Sequence, residues 1–119
     1  MRASFRKRYV HKRFGDARPV KCPCGISRRI LTGADNTLIS IHRVKISRAA
    51  KKHFHKKLTE FYIVVSGSGV IELNDSCVKL ACGDVVMIPP LTRHAARGKM
   101  EIINVVCPPF DPRDEFVIG

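Results

Sequence analysis

Residues 53–60 read HFHKKLTE and contain three side chains of metal-binding type: His53, His55 and Glu60. In a strand, side chains two positions apart project from one face, roughly 6.5 Å apart at Cα, so the two imidazoles can chelate one cation. The residues between the second histidine and the glutamate can turn the chain so that the carboxylate faces back. His94 follows a Pro-Pro break in the strand pattern and can approach the same cavity from another strand.

The spacing of these residues resembles the two motifs of the cupin family. The first motif is matched by His53, His55, Glu60 and Gly67, and the second by Gly83, Pro89 and His94. With the strands between them, the motifs cover Ser47 to Gly98. Ser47, Leu91 and Gly98 depart from the residues usual at their positions, but no metal ligand is lost.

This resemblance implies an all-β fold, a double-stranded β-helix, which is a jelly-roll barrel of one cupin unit. It also implies one divalent metal ion bound by His53, His55, Glu60 and His94. Three imidazoles and one carboxylate suit Fe, Mn, Ni, Co or Zn rather than Ca or Mg. In six-coordinate geometry two positions stay open for a substrate, or for a substrate and dioxygen.

The predicted function is that of a metal-dependent enzyme of the dioxygenase, isomerase, lyase or decarboxylase type. A divalent ion with one carboxylate keeps a net charge of +1, which favours a small oxygen-rich or anionic metabolite as substrate. The alternative is a non-catalytic barrel that senses a small ligand, because cupin relatives include sugar-responsive regulatory domains and a fold does not determine a function.

Three further residues are candidates for contact with the substrate. Tyr62 shares its strand face with Glu60, so its hydroxyl either acts in catalysis and substrate binding or satisfies a hydrogen bond in the core. His42 lies in a β-type run and is expected to stand behind the metal ligands or to bind substrate. Arg93 is one of several cations around the motifs, which either attract an anionic substrate or form a solvated rim.

Short β-type runs separated by Gly, Asn, Asp and Pro recur about every ten residues, the pattern of a sandwich or barrel. Gly67-Ser68-Gly69 is predicted to be a tight hairpin connection. The predicted strands are Ile26–Leu31, Leu38–Ile46, Glu60–Ser66, Val70–Leu73, Ser76–Leu80, Val85–Ile88, Arg93–Arg97 and Met100–Val106.

The chain has 119 residues, 45% hydrophobic and 27% charged, which is the composition of one globular domain and excludes intrinsic disorder. We predict a basic N-terminal arm over residues 1–18 and a single cupin barrel over residues 19–119. The arm carries half of the net charge of +12. It is expected to be solvated, although it could contact nucleic acid through phosphates. No apolar run is long enough for a membrane span or a signal peptide, so no membrane partner is expected.

Five cysteines, an odd number, predict free thiols in a reducing compartment, and therefore a cytoplasmic protein. Cys22-Pro23-Cys24 lacks the second pair that structural zinc sites use. The strand Glu60–Ser66 is apolar on both faces, so its outer face needs a partner subunit or the N-terminal arm as cover. We predict a homodimer.

Overall fold

The computed structural model describes residues 9–118, whose regular structure is almost entirely β-strand. The strands, in chain order, are β1 (Val20–Cys22), β2 (Gly25–Ile30), β3 (Ser40–Ile46), β4 (His53–Phe54), β5 (Thr59–Leu73), β6 (Ser76–Ala81), β7 (Val85–Ile88), β8 (His94–Cys107) and β9 (Phe116–Val117). Two 3-10 turns, Phe14–Asp16 and Pro112–Asp114, complete the secondary structure of this range. The all-β prediction is confirmed. No helix within residues 9–118 has the length and hydrophobicity that crossing a membrane requires.

The two longest strands, β5 and β8, pair antiparallel along nearly their whole length and form the frame of the barrel. Their pairing runs from Thr59↔Cys107 to Leu73↔His94. At the first end, β3 extends the sheet from β8 and β7 extends it from β5. At the other end, β4 pairs with β8 and β6 with β5. Each long strand therefore contributes to both halves of one folded sheet.

The sheet bends at the point where the backbones of β5 and β8 approach closely. The register shifts between Val64 and Ser66, and beyond this bulge Gly69 lies directly opposite Gly98. Gly67 has a φ of +76°, and a Cβ atom there would lie 2.1 Å from the carbonyl oxygen of Lys99. Bulges and glycines let a strand bend sharply without ending.

The predicted hairpin connection at residues 67–69 is therefore wrong. The glycines bend a continuous strand, so two pairs of predicted strands merge into single ones, β5 and β8. Glycine gives the same local signal in a turn and in a strand bend, because both use its freedom to adopt positive φ and to approach a neighbouring backbone. The predicted turns at Asn74-Asp75 and Gly83-Asp84 are confirmed, since each connects two strands of the sheet.

Inward-facing residues of neighbouring strands form rows across the sheet, and these rows change from apolar to polar. One row consists of Val44, Ile102 and Val64, which are fully buried in the core. The next row runs through Arg29, His42, Asn104 and Tyr62, and the one after it through Ser40, Val106 and Glu60. The interior is thus a hydrophobic core at one end and a polar site at the other.

Only part of the predicted basic arm can be located. Residues 1–8 lie outside the described range, and the arm stays a prediction there. Within the described range, the turn Phe14–Asp16 lies next to β2, and the Arg28 guanidinium donates a hydrogen bond to the carbonyl oxygen of Ala17 at 2.7 Å. This segment therefore ends against β2.

We expect Gly67→Ala to lower the free energy of unfolding by at least about 2 kcal/mol, because the new methyl meets the Lys99 carbonyl in a left-handed backbone conformation. Gly83→Ala, where φ is +96° and the space is open, should cost only the backbone strain, about 1 kcal/mol. Gly15→Ala, with open space, should stay within about 0.5 kcal/mol of the parent. Urea unfolding of the three variants measures this order, and equal stabilities would contradict the close crossing.

Candidate metal centre

Four buried side chains, three from strands β4, β5 and β8 and one from the residue just after β4, meet at the polar end of the barrel and are here called the ligand cluster: His53, His55, Glu60 and His94. Their ligand atoms all lie within 4.8 Å of one another. His53 begins β4 and is the cross-strand partner of His94, which begins β8. Glu60 lies at the start of β5. The structure thus brings together all four residues that the sequence predicts as ligands.

The loop between His55 and Glu60 is held by a carboxylate from the distant C-terminal segment. Asp114 is buried, and its two oxygens accept hydrogen bonds from the amides of Lys56, Lys57 and Leu58 at 2.8, 3.0 and 3.2 Å. Hydrogen bonds to a carboxylate are stronger than those between neutral groups. Asp114 therefore sets the turn that carries Glu60 back towards the histidines.

Backbone carbonyls orient two of the imidazoles. Nδ1 of His53 lies 3.0 Å from the carbonyl oxygen of Lys51, and Nδ1 of His94 lies 2.9 Å from that of Thr92. Since a carbonyl oxygen can only accept, each Nδ1 carries the hydrogen and donates. Nε2 of each ring is then left as the atom available to a metal ion, and such a hydrogen bond is the usual support of a metal-binding histidine.

Glu60 is 4% exposed, and its two oxygens have different surroundings. Asn104 donates from Nδ2 to Oε2 at 2.7 Å, while Oε1 lies 3.1 Å from Nε2 of His94 and 3.4 Å from Nδ1 of His55. Burial raises the pKa of Glu60, but its contacts with His94, His55 and Asn104 outweigh this effect and bring the pKa to about 2. The carboxylate is ionised at neutral pH.

Burial has the opposite effect on the charged form of the histidines. It lowers the pKa of His53 to about 4, with a smaller contribution from the neighbouring His94 imidazole, and it also lowers the pKa of His55. Both imidazoles are therefore neutral at neutral pH, which is the form that binds metal ions.

Three polar atoms of the cluster residues, Nε2 of His55, Nε2 of His94 and Oε1 of Glu60, are buried without a hydrogen-bond partner among the described residues. A buried polar atom without a partner costs about 1–3 kcal/mol. Nε2 of His94 and Oε1 of Glu60 both present lone pairs, so their 3.1 Å contact requires a proton or a cation between them. A divalent ion held by the four residues would satisfy Nε2 of His94 and Oε1 of Glu60 together, and the cluster therefore fits a metal site.

The other three predicted site residues differ in burial: Tyr62 and His42 are buried, whereas Arg93 is exposed. Tyr62 is 1% exposed, its ring centroid lies 6.0 Å from that of His94, and burial raises its pKa, so the hydroxyl stays protonated. His42 is buried, with Nε2 3.0 Å from Oγ of Ser40, and burial lowers its pKa to about 4. Arg93 is exposed in the turn before β8, where its backbone amide donates to Oδ1 of Asn74.

A cation on the inner face of the sheet was missed by the sequence analysis. Arg29 is the cross-strand partner of His42, and its guanidinium carbon lies 4.4 Å from the ring centroid of Phe110. That ring lies 5.6 Å from the His42 ring and 6.4 Å from the His55 ring. Nε of Arg29 is buried and has no hydrogen-bond partner among residues 9–118. Because Ser27 and Arg29 are two positions apart in β2, their side chains share one face of the strand, and this spacing was the available signal that Arg29 points inward.

Asn104 and Asp114, which support Glu60 and its loop, were also missed. An asparagine at an inward position of the apolar run Met100–Val106 was a usable signal, because a buried amide needs a polar partner. Asp114 gave no such signal, since its partners are backbone amides far away in the sequence.

Comparison with known proteins extends over most of the chain. A family model for the cupin domain matches residues 41–106, which include the whole ligand cluster. Searched by sequence, the curated proteins contain no match to this chain. Among solved structures, a protein from Planctomyces limnophilus is 36% identical, with a TM-score of 0.85 over 91% of this chain and 96% of that one.

Two more distant structures are similar in fold. The nucleoside dehydratase Pac13 of Streptomyces is 24% identical, with a TM-score of 0.83 over 92% of this chain and 91% of its own. Ectoine synthase from P. lautus is 18% identical, with a TM-score of 0.75 over 93% and 91%. The family model matches more than half of the chain, which establishes that the chain belongs to the cupin family.

Proposed function

We propose that the ligand cluster binds one divalent transition metal ion and that the protein is a metal-dependent enzyme. The observation that carries this proposal is the group of three buried, unpartnered atoms on His55, His94 and Glu60. One cation held by the cluster would give Nε2 of His94 and Oε1 of Glu60 a partner and so remove the desolvation costs of both atoms. Fe, Mn, Ni, Co or Zn suits the combination of imidazoles and one carboxylate.

The remaining residues of the site support chemistry on a small oxygen-rich or anionic metabolite. A bound ion would supply a Lewis acid that polarises a carbonyl or enolate oxygen. Arg29 would bind an anionic group of the same molecule, because its guanidinium lies on Phe110, whose ring is 6.4 Å from that of His55, and its buried Nε has no partner among the described residues. Tyr62 would hold a proton close to the substrate, and Asn104 would keep the Glu60 carboxylate oriented.

Such a site could support dioxygenase, isomerase, lyase or decarboxylase reactions. The protonated hydroxyl of Tyr62 favours the isomerase and lyase types, which depend on proton transfer. The structural neighbours include enzymes, among them a nucleoside dehydratase and ectoine synthase. A ligand-sensing barrel would bind the same metal and ligand without converting it, so turnover by metal-loaded protein distinguishes the two functions. His42 and Arg93 are retained as candidate substrate contacts.

Metal content tests the site directly. Protein purified without a metal-affinity tag should contain close to one transition-metal ion per chain, whereas His53→Ala and Glu60→Ala should each retain less than about a tenth of it, because removing a ligand costs at least 10-fold in affinity. His11→Ala, which removes an exposed imidazole, is the matched control and should keep the full content. Inductively coupled plasma mass spectrometry gives the stoichiometry, and circular dichroism confirms folding. Equal metal in all four proteins would refute the assignment.

The role of Arg29 can be tested by ligand binding without turnover. Oxalate, a small dicarboxylate, should bind metal-loaded protein, and Arg29→Gln should weaken this binding about 10-fold to 100-fold, the effect of losing one charged hydrogen bond. Arg28→Gln is the control, because that guanidinium bonds to the carbonyl oxygen of Ala17 instead. Isothermal titration calorimetry measures both affinities. Equal weakening by the two substitutions would show that only the overall charge matters.

We also infer a homodimer from the outer face of β7 and β5. Val85 and Met87 are 62% and 59% exposed, and they lie beside the half-buried Ile63 and Phe61 in the pairing of the two strands. β7 pairs only with β5 within the described residues, so it is an edge strand. Residues 9–18 end against β2, three strands away from β5, and leave this apolar face open to a second copy.

Sedimentation velocity should give about twice the 13.4 kDa of one chain. Val85→Lys with Met87→Lys should shift the protein to the monomer, because two charges would have to be buried in the interface. Val78→Lys, on exposed β6 away from this face, should leave the dimer intact. A monomeric parent protein would contradict the inference.

The five cysteines support a cytoplasmic location as part of this proposal. All five are free thiols, and Cys77, Cys82 and Cys107 are exposed. Exposed thiols persist in reducing compartments and are oxidised elsewhere.

A further inference from the structure

A pair of thiols lies outside the ligand cluster and has no part in the proposed metal chemistry. Cys22 ends β1, and Cys24 lies in the two-residue connection to β2, where Cys22 pairs with Gly25. The two sulfur atoms are 2.8 Å apart and both thiols are free. Pro23 between them restricts the backbone of the connection. Because the sulfurs are already 2.8 Å apart, a small movement would bring them to the bond length of a disulfide, about 2.05 Å.

The two thiols differ in pKa and in exposure, as do the attacking and the resolving thiol of an exchange pair. A hydrogen bond from the Cys24 thiol lowers the pKa of Cys22 to about 7, with help from the backbone amides of Cys24 and Gly25 and against the effect of burial. The same hydrogen bond and burial raise the pKa of Cys24. Cys22 is half-buried while Cys24 is packed in the core. The thiolate therefore forms on the sulfur that a reagent can reach.

Cys22 also lines a cavity of about 710 Å³ between the β1–β2 connection and residues 45–51. The cavity wall includes the apolar side chains of Ile26 and Ile46. Three lysines, Lys21, Lys45 and Lys51, surround it, and no acidic residue lines it. Cavities of this size accept small molecules, and its charge favours anions.

The spacing of the sulfurs argues against a metal ion between them. Zn–S bonds are about 2.3 Å, so two sulfurs on one tetrahedral ion lie about 3.8 Å apart. The observed 2.8 Å is too short for that arrangement and suits direct S–S bond formation.

We propose that this cavity is a thiol–disulfide exchange site, at which Cys22 and Cys24 react with anionic low-molecular-weight disulfides. The Cys22 thiolate attacks one sulfur of the disulfide, whose S–S bond breaks, and one half leaves as a thiolate that takes up a proton. Cys24 then loses its proton and attacks Cys22 Sγ, and the second half leaves in the same way. The protein loses two protons and two electrons, and the disulfide is reduced to two thiols.

The full chain carrying Cys77→Ser, Cys82→Ser and Cys107→Ser isolates the pair. After reaction with oxidised glutathione, intact mass spectrometry should show a protein two hydrogens lighter that no longer reacts with N-ethylmaleimide. Adding Cys24→Ser should trap glutathione on Cys22, and adding Cys22→Ser should slow the reaction at least about 10-fold. A pair that stays alkylatable, or a Cys22→Ser variant that reacts at the same rate, would overturn the proposal. Should a variant fold poorly, peptide mapping of the unsubstituted chain after the same reaction detects the disulfide between Cys22 and Cys24 or its absence.

The charge of the cavity supplies a second test. Lys45→Gln with Lys51→Gln should slow exchange with oxidised glutathione, which is anionic, about 10-fold, and should change the rate with neutral 2-hydroxyethyl disulfide less than about 2-fold. Lys79→Gln, on β6, is the control and should alter neither rate. Equal slowing with both disulfides, or no slowing with either, would overturn selection of anions by this cavity.

Discussion

Glu60 places the strongest constraint on this structure, because it is a carboxylate held inside a β-barrel. Burial alone would favour its neutral form, yet the amide of Asn104 and the imidazoles of the ligand cluster keep it ionised. An ionised group at this depth is tolerated only when its oxygens have partners. One oxygen has the Asn104 amide, and the other lies 3.1 Å from Nε2 of His94, which has no hydrogen-bond partner among the described residues, and 3.4 Å from Nδ1 of His55. The electrostatics of the site therefore favour a positive charge at its centre.

The frame of the barrel makes this arrangement possible. β5 carries Glu60 and Tyr62, and β8 carries His94 and Asn104, so the two longest strands supply most of the site. Their bend at the facing glycines lets each strand pair with different neighbours at its two ends. As a result, Asn104 lies in the row next to Glu60 while His94, at the other end of β8, approaches the cluster beside β4. A flat sheet would hold these residues too far apart.

The interior separates three kinds of chemistry by position. The ligand cluster occupies one end, and Arg29 lies on Phe110, whose ring is 6.4 Å from that of His55. The apolar row of Val44, Ile102 and Val64 fills the barrel behind the polar rows. The thiol pair lies at the β1–β2 connection and opens into its own cationic cavity. The surroundings of the ligand cluster and of the thiol pair therefore differ within one chain of 119 residues.

The sequence by itself determined the all-β class, the cupin family and the four residues of the ligand cluster. Strand alternation and motif spacing are local properties that composition and order express directly. The continuity of β5 and β8, the anchoring of the ligand loop by Asp114, the contact of Asn104 with Glu60 and the inward position of Arg29 were decided only by the tertiary structure. Each depends on a pairing between segments far apart in the chain. A glycine, an aspartate or an arginine has the same local pattern whether or not its distant partner comes close, and only the folded register brings the partners together.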